Sequence, residues 1–183
     1  MKKDLISIIV PCYNEEESLP IFYKEVNKVL TGMKSIDYEI LFINDGSSDE
    51  TLNVIRKLAI SNHRVRYISF SRNFGKEAGM YAGLENSRGD FVAIMDADMQ
   101  DPPKMIKDMY DMLKKNNLYD CVALRTNSHV GYSFVRRFFT NMWYKMVSKI
   151  SSIQQLPGAR DFRLMRRNVV NAIISMKEYN RYT

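Results

Sequence analysis

Five short apolar runs punctuate the first 125 residues, at Leu5–Val10, Tyr38–Ile43, Val65–Phe70, Phe91–Met95 and Cys121–Leu124. They are continuous, not alternating, and strands apolar on both faces belong in a parallel sheet covered by helices on each side. The first run is rich in β-branched residues and is read as closed by Pro11. Between the runs, apolar residues recur at spacings of three and four. Leu19, Phe22, Val26, Val29, Leu30 and Met33 predict one helix. Leu52, Ile55, Leu58 and Ala59 predict a second, after Ser47 and Glu50 at the spacing of a capping box. Met105, Ile106, Met109, Met112 and Leu113 predict a third, after Pro102-Pro103, residues suited to a helix start. The order βαβαβαβαβ predicts an α/β fold with a doubly wound, mostly parallel sheet and helices on both faces. In such folds ligands bind outside the carboxyl ends of the strands.

After Arg125 the pattern changes. Thr126–Tyr132 is polar and turn-like, Ser133–Ile150 is helical, Ser151–Arg160 is a loop, and Asp161–Met165 is a last short run. On a helical wheel Val135, Phe139, Met142, Trp143, Met146 and Ile150 share one face, opposite Arg136 and Arg137. A helix of that composition either lies in a membrane interface or packs its apolar face on the sheet. No linker rich in Gly, Pro or Ser separates the two regions. We therefore read one domain, with a core at 1–132 and a basic, amphipathic C-terminal extension at 133–183.

Charge sharpens that division. The 183 residues carry a net +6, with 45% hydrophobic and 26% charged residues, the balance of a globular chain. Residues 121–183 hold 11 basic side chains against only Asp161 and Glu178, a net of +9, so residues 1–120 are slightly acidic. The basic segment calls for an anionic partner: phosphate, nucleic acid or a membrane surface. Cys12 and Cys121 each lie in an apolar run, which argues against a disulfide framework or zinc site and for a reducing compartment. No stretch reaches the roughly 18 apolar residues of a membrane span, and no signal-peptide pattern opens the chain.

The ends of three runs carry acids out of place for packing, since an unpaired buried carboxylate is costly. Asp96 and Asp98 flank the small Ala97, so their carboxylates leave the same side of an extended backbone. They repel unless a cation lies near them. Hard oxygen ligands suit Mg²⁺ or Mn²⁺, which complete their shell with water and substrate phosphates, as at a nucleoside-diphosphate site. The plainer reading is a solvated turn whose acids favour the following helix N-terminus. A phosphatase of the Asp-x-Asp type would want Thr or Val soon after the second acid, where this chain has Met99-Gln100. Asp45, in Asn44-Asp45-Gly46-Ser47-Ser48, is either an acceptor for a base or ribose or a helix-capping turn acid. Gly46 permits a tight turn there, and Ser47 is placed to cap the helix. Ser71–Gly79 offers Arg72 and Lys76 to phosphates. Neither a P-loop nor a G-x-G-x-x-G fingerprint occurs.

Ile8–Glu15 (IIVPCYNE), Phe42–Asp49 (FINDGSSD), Met95–Asp98 (MDAD) and Gln100–Pro103 (QDPP) together resemble the family 2 glycosyltransferases of the GT-A fold. Ser71–Gly79 and Gly158–Met165 (GARDFRLM) narrow the resemblance to the polyprenyl-phosphate glycosyltransferases, over residues 5 to 177 or so. The resemblance implies that Pro11, Tyr13, Glu15, Asp45, Lys76 and Asp96 bind a UDP- or GDP-linked sugar, with Asp45 reading the base. It implies Asp98 and Gln100 as metal ligands for Mg²⁺ or Mn²⁺, Asp161 and Asp98 as catalytic residues, and an inverting transfer. Asn44 stands where relatives often carry a second Asp. Many relatives continue into transmembrane helices, so the chain is expected to be part of a longer protein at the cytoplasmic face of the cell membrane, with a homo-oligomer left open.

A polyprenyl phosphate is already an anionic nucleophile and needs fixing and neutralisation more than a strong base. Arginine supplies planar, bidentate donors for that task. Arg125, Arg136, Arg137 and Arg163 are the candidates for the acceptor phosphate, and Arg163 could instead serve the leaving diphosphate. Three rivals remain at this level, one of them a sugar-nucleotide-binding domain inactive without its membrane part. A soluble family 2 transferase acting on a saccharide hydroxyl would need a base, and Arg160-Asp161 offers one acid only. A nucleic-acid-binding module would want aromatics interleaved with charge, whereas here they share one helical face.

Overall fold

The computed structural model describes residues 3–125 and 159–176, with only the backbone given for Arg125 and for residues 159–161. Contacts divide the chain into two compact units, Met1–Ala123 with Asp161–Thr183, and Leu124–Arg160. The helix expected over 133–150, with Arg136 and Arg137, lies outside the described residues.

The elements follow the predicted alternation. In order they are β1 (Asp4–Cys12), α1 (Ser18–Gly32), β2 (Ile36–Asn44), α2 (Thr51–Ser61), β3 (Val65–Ser69), α3 (Lys76–Asn86), β4 (Phe91–Ile94), α4 (Met105–Lys115), β5 (Cys121–Arg125), β6 (Ala159–Arg166) and α5 (Arg167–Ser175). The strands form one six-stranded sheet in the order β3-β2-β1-β4-β6-β5. β1 pairs in parallel with both β2 and β4, and β2 with β3. β6 runs antiparallel to β4, with Phe91 opposite Arg166 and Ile94 opposite Arg163. The chain winds outward from β1 to β2 and β3, then returns to place β4 on the other side. β1 and β4 therefore flank the point where the winding reverses, the place where α/β sheets leave a crevice.

Both faces of the central strands are buried, as their unbroken apolar runs require. Ile9, Leu41, Ile43, Val92 and Ile94 turn to one face and pack with Met80 and Leu84 of α3, Met165 of β6 and Val170 of α5. On the other face Phe22 of α1 meets Phe42 of β2 edge-on, with ring centroids 6.5 Å apart. Residues 76–86, which carry no clear apolar stripe, are helical all the same. α3 buries Gly79, Met80, Gly83 and Leu84, and its glycines let the helix lie close on the sheet. A Cβ on Gly83 would come within 2.2 Å of Ile9 Cγ2.

Two local expectations are corrected. β1 does not close at Pro11 but runs on to Cys12, in register with Asn44. Met95 donates its N–H to Ile9 O at 3.0 Å, so odd residues of β1 direct their backbone groups toward β4, and β4 ends at Ile94. Pro11, which has no N–H to donate, thus sits on the β4-facing side of β1 just past the last paired residue, Ile94. Nor does Ser47 cap α2, which starts at Thr51 after Glu50, without a side-chain cap from that residue. Asp49 Oδ1 accepts the Thr51 N–H at 3.0 Å instead, while the Ser47 hydroxyl is taken by the β1–α1 loop.

Candidate functional site

Beyond the carboxyl ends of β1–β4 lies a cavity of about 370 Å³, lined by Pro11, Cys12, Tyr13, Glu15, Asp45, Asn73, Gly75, Lys76, Asp96, Ala97 and Asp98. Each wall comes from a different strand end, and the opening sits over the β1/β4 switch point.

The loop after β1 is held by the loop after β2. Asn14 adopts a positive φ of 56°, and its N–H donates to Ser47 Oγ at 3.0 Å, while its side-chain oxygen accepts the Ser48 N–H at 2.9 Å. The Glu15 N–H donates to Thr51 Oγ1 at 2.7 Å, the Glu16 N–H to Asp49 Oδ2 at 3.2 Å, and the Glu50 N–H to Glu16 Oε2 at 2.7 Å. This reciprocal lacing satisfies backbone donors at two strand ends and fixes Tyr13 and Glu15 at the rim. Ser18 Oγ donates to Glu15 Oε2. The Tyr13 ring is half exposed, free to lie against a flat ligand group.

Asp45 is buried, and both its carboxylate oxygens are occupied. Oδ1 accepts the Phe74 N–H at 2.7 Å and Oδ2 the Gly75 N–H at 2.9 Å. Gly46, with φ +65°, lies directly against the backbone of Arg72 and Asn73. Lys76, the first residue of α3, reaches across the pocket, with Nζ 2.8 Å from Asp96 Oδ2. Asp98 Oδ1 accepts the Gln100 N–H at 3.0 Å, in a turn where Met99 takes φ 60°. Its other oxygen has no protein partner among the described residues. Arg72 does not line the cavity; its guanidinium stands 4.6 Å over the Phe74 ring. Burial first, and then the negative charges of Glu15 and Asp96, push the Cys12 thiol well above its ordinary range, so it stays protonated and is no nucleophile.

The structure therefore gathers seven residues singled out in the sequence: Pro11, Tyr13, Glu15, Asp45, Lys76, Asp96 and Asp98. Gln100 follows on the same loop but is not part of the cavity wall. Arg163 stands on β6 opposite Ile94, away from the lining, where its charge partly offsets the rise that burial imposes on the Cys121 thiol. Of Arg125 and Asp161 only the strand backbone is described. Asn73 was not foreseen as a wall residue; its only signal was its place in the Ser71–Gly79 segment, where Gly75, a glycine that allows close approach, also joins the wall.

Whether these groups could hold a divalent cation follows from their chemistry. Among the described residues no cluster of three or more His, Cys, Asp and Glu side chains is placed to enclose a metal. Asp96 and Asp98 do face one cavity, and Asp98 retains an unpartnered oxygen. That donor set fits Mg²⁺ or Mn²⁺ sharing its shell with a diphosphate, since such ions commonly take only one or two protein carboxylates. It does not fit an ion caged by protein alone.

The chain is 43% identical over all 183 residues to CsbB of Bacillus subtilis (strain 168), a protein named only provisionally as a glycosyltransferase, and covers 54% of it. It is 39% identical over 175 residues, 96% of its length, to the bactoprenol glucosyl transferase of Shigella phage SfX, of which it covers 56%. The chain thus spans about half the length of these relatives. In three dimensions it resembles the mannosyltransferase PcManGT from Pyrobaculum calidifontis, whose structure holds GDP-Man and Mn²⁺. The TM-score is 0.64 at 18% identity, covering 94% of this chain and 47% of that one. The likeness establishes the GT-A type of fold. The sequence model of glycosyl transferase family 2 matches residues 7–174, and the chain belongs to that family.

Proposed function

We propose that this chain is the catalytic part of a membrane-associated enzyme that transfers a sugar from a nucleoside diphosphate to a polyprenyl phosphate. The observation that carries the reading is the convergence of Asp96, Asp98, Lys76 and Tyr13 on one cavity at the switch point of the sheet. Relatives named for bactoprenol glucosyl transfer, at about 40% identity, support the acceptor class. Among the described residues no helix is long and apolar enough to cross a membrane, so the membrane assignment rests on the acceptor and on the basic extension.

In this reading the half-exposed Tyr13 ring lies against the nucleoside, and Lys76 offers its ammonium to the diphosphate. Asp96, released from Lys76, accepts hydrogen bonds from the donor sugar. Asp98, with Gln100 on the same loop, would hold the divalent cation. A cation bound there supplies positive charge against the charge developing on the leaving diphosphate. An acceptor phosphate oxygen forms a bond to the anomeric carbon as the bond from that carbon to the diphosphate oxygen breaks. Attack in line inverts the configuration. Arg125, Arg136, Arg137 and Arg163 would hold the acceptor phosphate, and Asp161 is the further catalytic aspartate. A phosphate monoester is already anionic at neutral pH, so no residue has to remove a proton from it.

The test is direct. Transfer of labelled sugar from UDP-glucose or GDP-mannose to undecaprenyl phosphate is measured with Mn²⁺, for the full-length protein and its Asp98→Asn variant. The variant should keep the wild-type melting temperature and lose about a hundredfold or more in rate, the scale on which transition-state charge stabilisation acts. Normal turnover by Asp98→Asn with metal present would refute the metal role. Saccharide hydroxyls accepted in place of the lipid phosphate would move the protein to a soluble transferase.

A further inference from the structure

We infer that Asn14 is a positioning residue: its left-handed turn, clamped to Ser47 and Ser48, sets the direction in which Tyr13 presents its ring to the donor nucleoside. The inference rests on the nucleotide-sugar reading above and concerns how one of its contacts is held in place.

Tyr13 lines the cavity and is 48% exposed. Among the described residues its side chain makes no hydrogen bond, and no aromatic ring packs against it. A ring without side-chain supports takes its direction from the backbone on either side, which decides the rotamers open to it. On the strand side that backbone is fixed. Cys12 stands in register with Asn44, and Cys12 O accepts the Asp45 N–H at 2.9 Å.

On the other side stands Asn14, which is exposed and does not line the cavity. Its φ of 56° lies where L-residues are disfavoured and asparagine is among the few tolerated. Its N–H donates to Ser47 Oγ at 3.0 Å, and its side-chain oxygen accepts the Ser48 N–H at 2.9 Å. Ser47 is anchored in turn. Its N–H donates to Asn44 Oδ1 at 3.3 Å, and Asn44 Nδ2 donates to Ser69 Oγ at 2.9 Å. The turn after Tyr13 is thus tied to the ends of β2 and β3 as well as to its own strand. Glycine would supply the positive φ alone. Asparagine adds an acceptor that fixes which way the turn points.

A residue acting through Tyr13 should matter only while the ring is present. Binding of UDP and GDP to the full-length protein is measured by calorimetry with Mn²⁺. The proteins are wild type, Asn14→Ala, Tyr13→Ala and the double variant, each checked for an unchanged melting temperature. Alanine removes the acceptor and disfavours the left-handed turn. Asn14→Ala should weaken the nucleotide by about five- to tenfold, within the worth of one base–aromatic contact. Tyr13→Ala should weaken it at least as much, and the double variant should fall no further than Tyr13→Ala, because both changes remove one coupled contact. In turnover Asn14→Ala should raise KM for the nucleotide sugar and leave kcat unchanged, as loss of a contact made equally in the ground and transition states does.

If Asn14→Ala does not fold, Ser47→Ala serves. It removes the acceptor of the Asn14 N–H from the other side of the clamp and leaves every residue of the cavity wall in place. It should show the same loss, again only while Tyr13 is present. Wild-type affinity in Asn14→Ala would overturn the proposal, as would wild-type affinity in Tyr13→Ala. Equal losses from Asn14→Ala with and without the tyrosine ring would make Asn14 an independent contact or a general support of the loop, and would overturn it as well. Failure of the wild type to bind either diphosphate would instead overturn the nucleotide reading itself.

Discussion

Gly46→Ala is the most sensitive single change the site allows, because two independent costs fall on one methyl group. Gly46 has φ +65°, where an L-residue loses about 1–2 kcal/mol relative to its ordinary helical conformation. The added Cβ would also lie 2.3 Å from Arg72 C, 2.6 Å from Arg72 Cα and 2.7 Å from Asn73 N. Those atoms belong to the backbone, so no rotamer change relieves the contact. The loop would have to retreat by roughly 1 Å to restore ordinary carbon–carbon separation. Overpacking of that degree costs about 1–3 kcal/mol, for a total of about 2–5 kcal/mol. Gly75→Ala is the internal control: its φ is +94°, but no atom lies within 4 Å of the new Cβ. It should cost only the backbone share, about 1–3 kcal/mol for a residue held at φ 94° and ψ 156°. Urea unfolding followed by circular dichroism measures both. A Gly46→Ala loss under about 0.5 kcal/mol, the scatter of ordinary surface changes, would refute the reasoning, and so would one no larger than that of Gly75→Ala. The retreat also carries Lys76 away from Asp96, so nucleotide affinity should fall along with stability.

Gly83→Ala should destabilise by about 1–3 kcal/mol, as overpacking does, since its Cβ would meet Ile9 Cγ2 at 2.2 Å in the closed core. In an Ile9→Ala background the same change should cost less, because the obstructing methyl is gone; equal costs in the two backgrounds would show the contact to be irrelevant. Acid stability should depend on Glu39, which lies 5% exposed at the far end of the sheet. Burial alone would raise its carboxyl, but hydrogen bonds from Ser7 Oγ, the Arg88 N–H and Arg66 outweigh it and hold the group below the ordinary glutamate range. A depressed carboxyl stabilises the fold above its unfolded value, near 4.3, and that contribution disappears as pH falls through the folded value. Glu39→Gln should therefore cost about 1–3 kcal/mol at pH 7. The gap to wild type should narrow below about pH 4 in unfolding curves; a gap independent of pH would assign the loss to packing.

The sheet was legible because its runs have a cause that sequence exposes: strands covered on both faces have to be apolar at every position. α3 was not named because the opposite holds for it. Seated on the sheet through Gly79 and Gly83, it needs little bulk on the buried side and shows no stripe. The direction of β6 was hidden as well, since an apolar run reads the same whether its strand is parallel or antiparallel. The site was legible as a set of residue types. Asp45, Asp96 and Asp98 stand where packing has no use for acids, and all three face the cavity. What sequence could not distinguish is an acid that is satisfied from one that is waiting. Glu39 interrupts an apolar run as oddly as Asp98 follows one, yet its donors come from Ser7, Arg66 and Arg88, up to 49 residues away. A buried carboxylate whose oxygens accept bonds from the protein is fixed in direction by the framework, as Glu39 is. Asp45 is held by the protein in the same way, and it also lines the pocket. Asp98, exposed and with an oxygen unclaimed among the described residues, is held at one oxygen only. The division between framework and ligand site follows from where the hydrogen-bond donors lie, a property of the folded chain that no spacing of residues reveals.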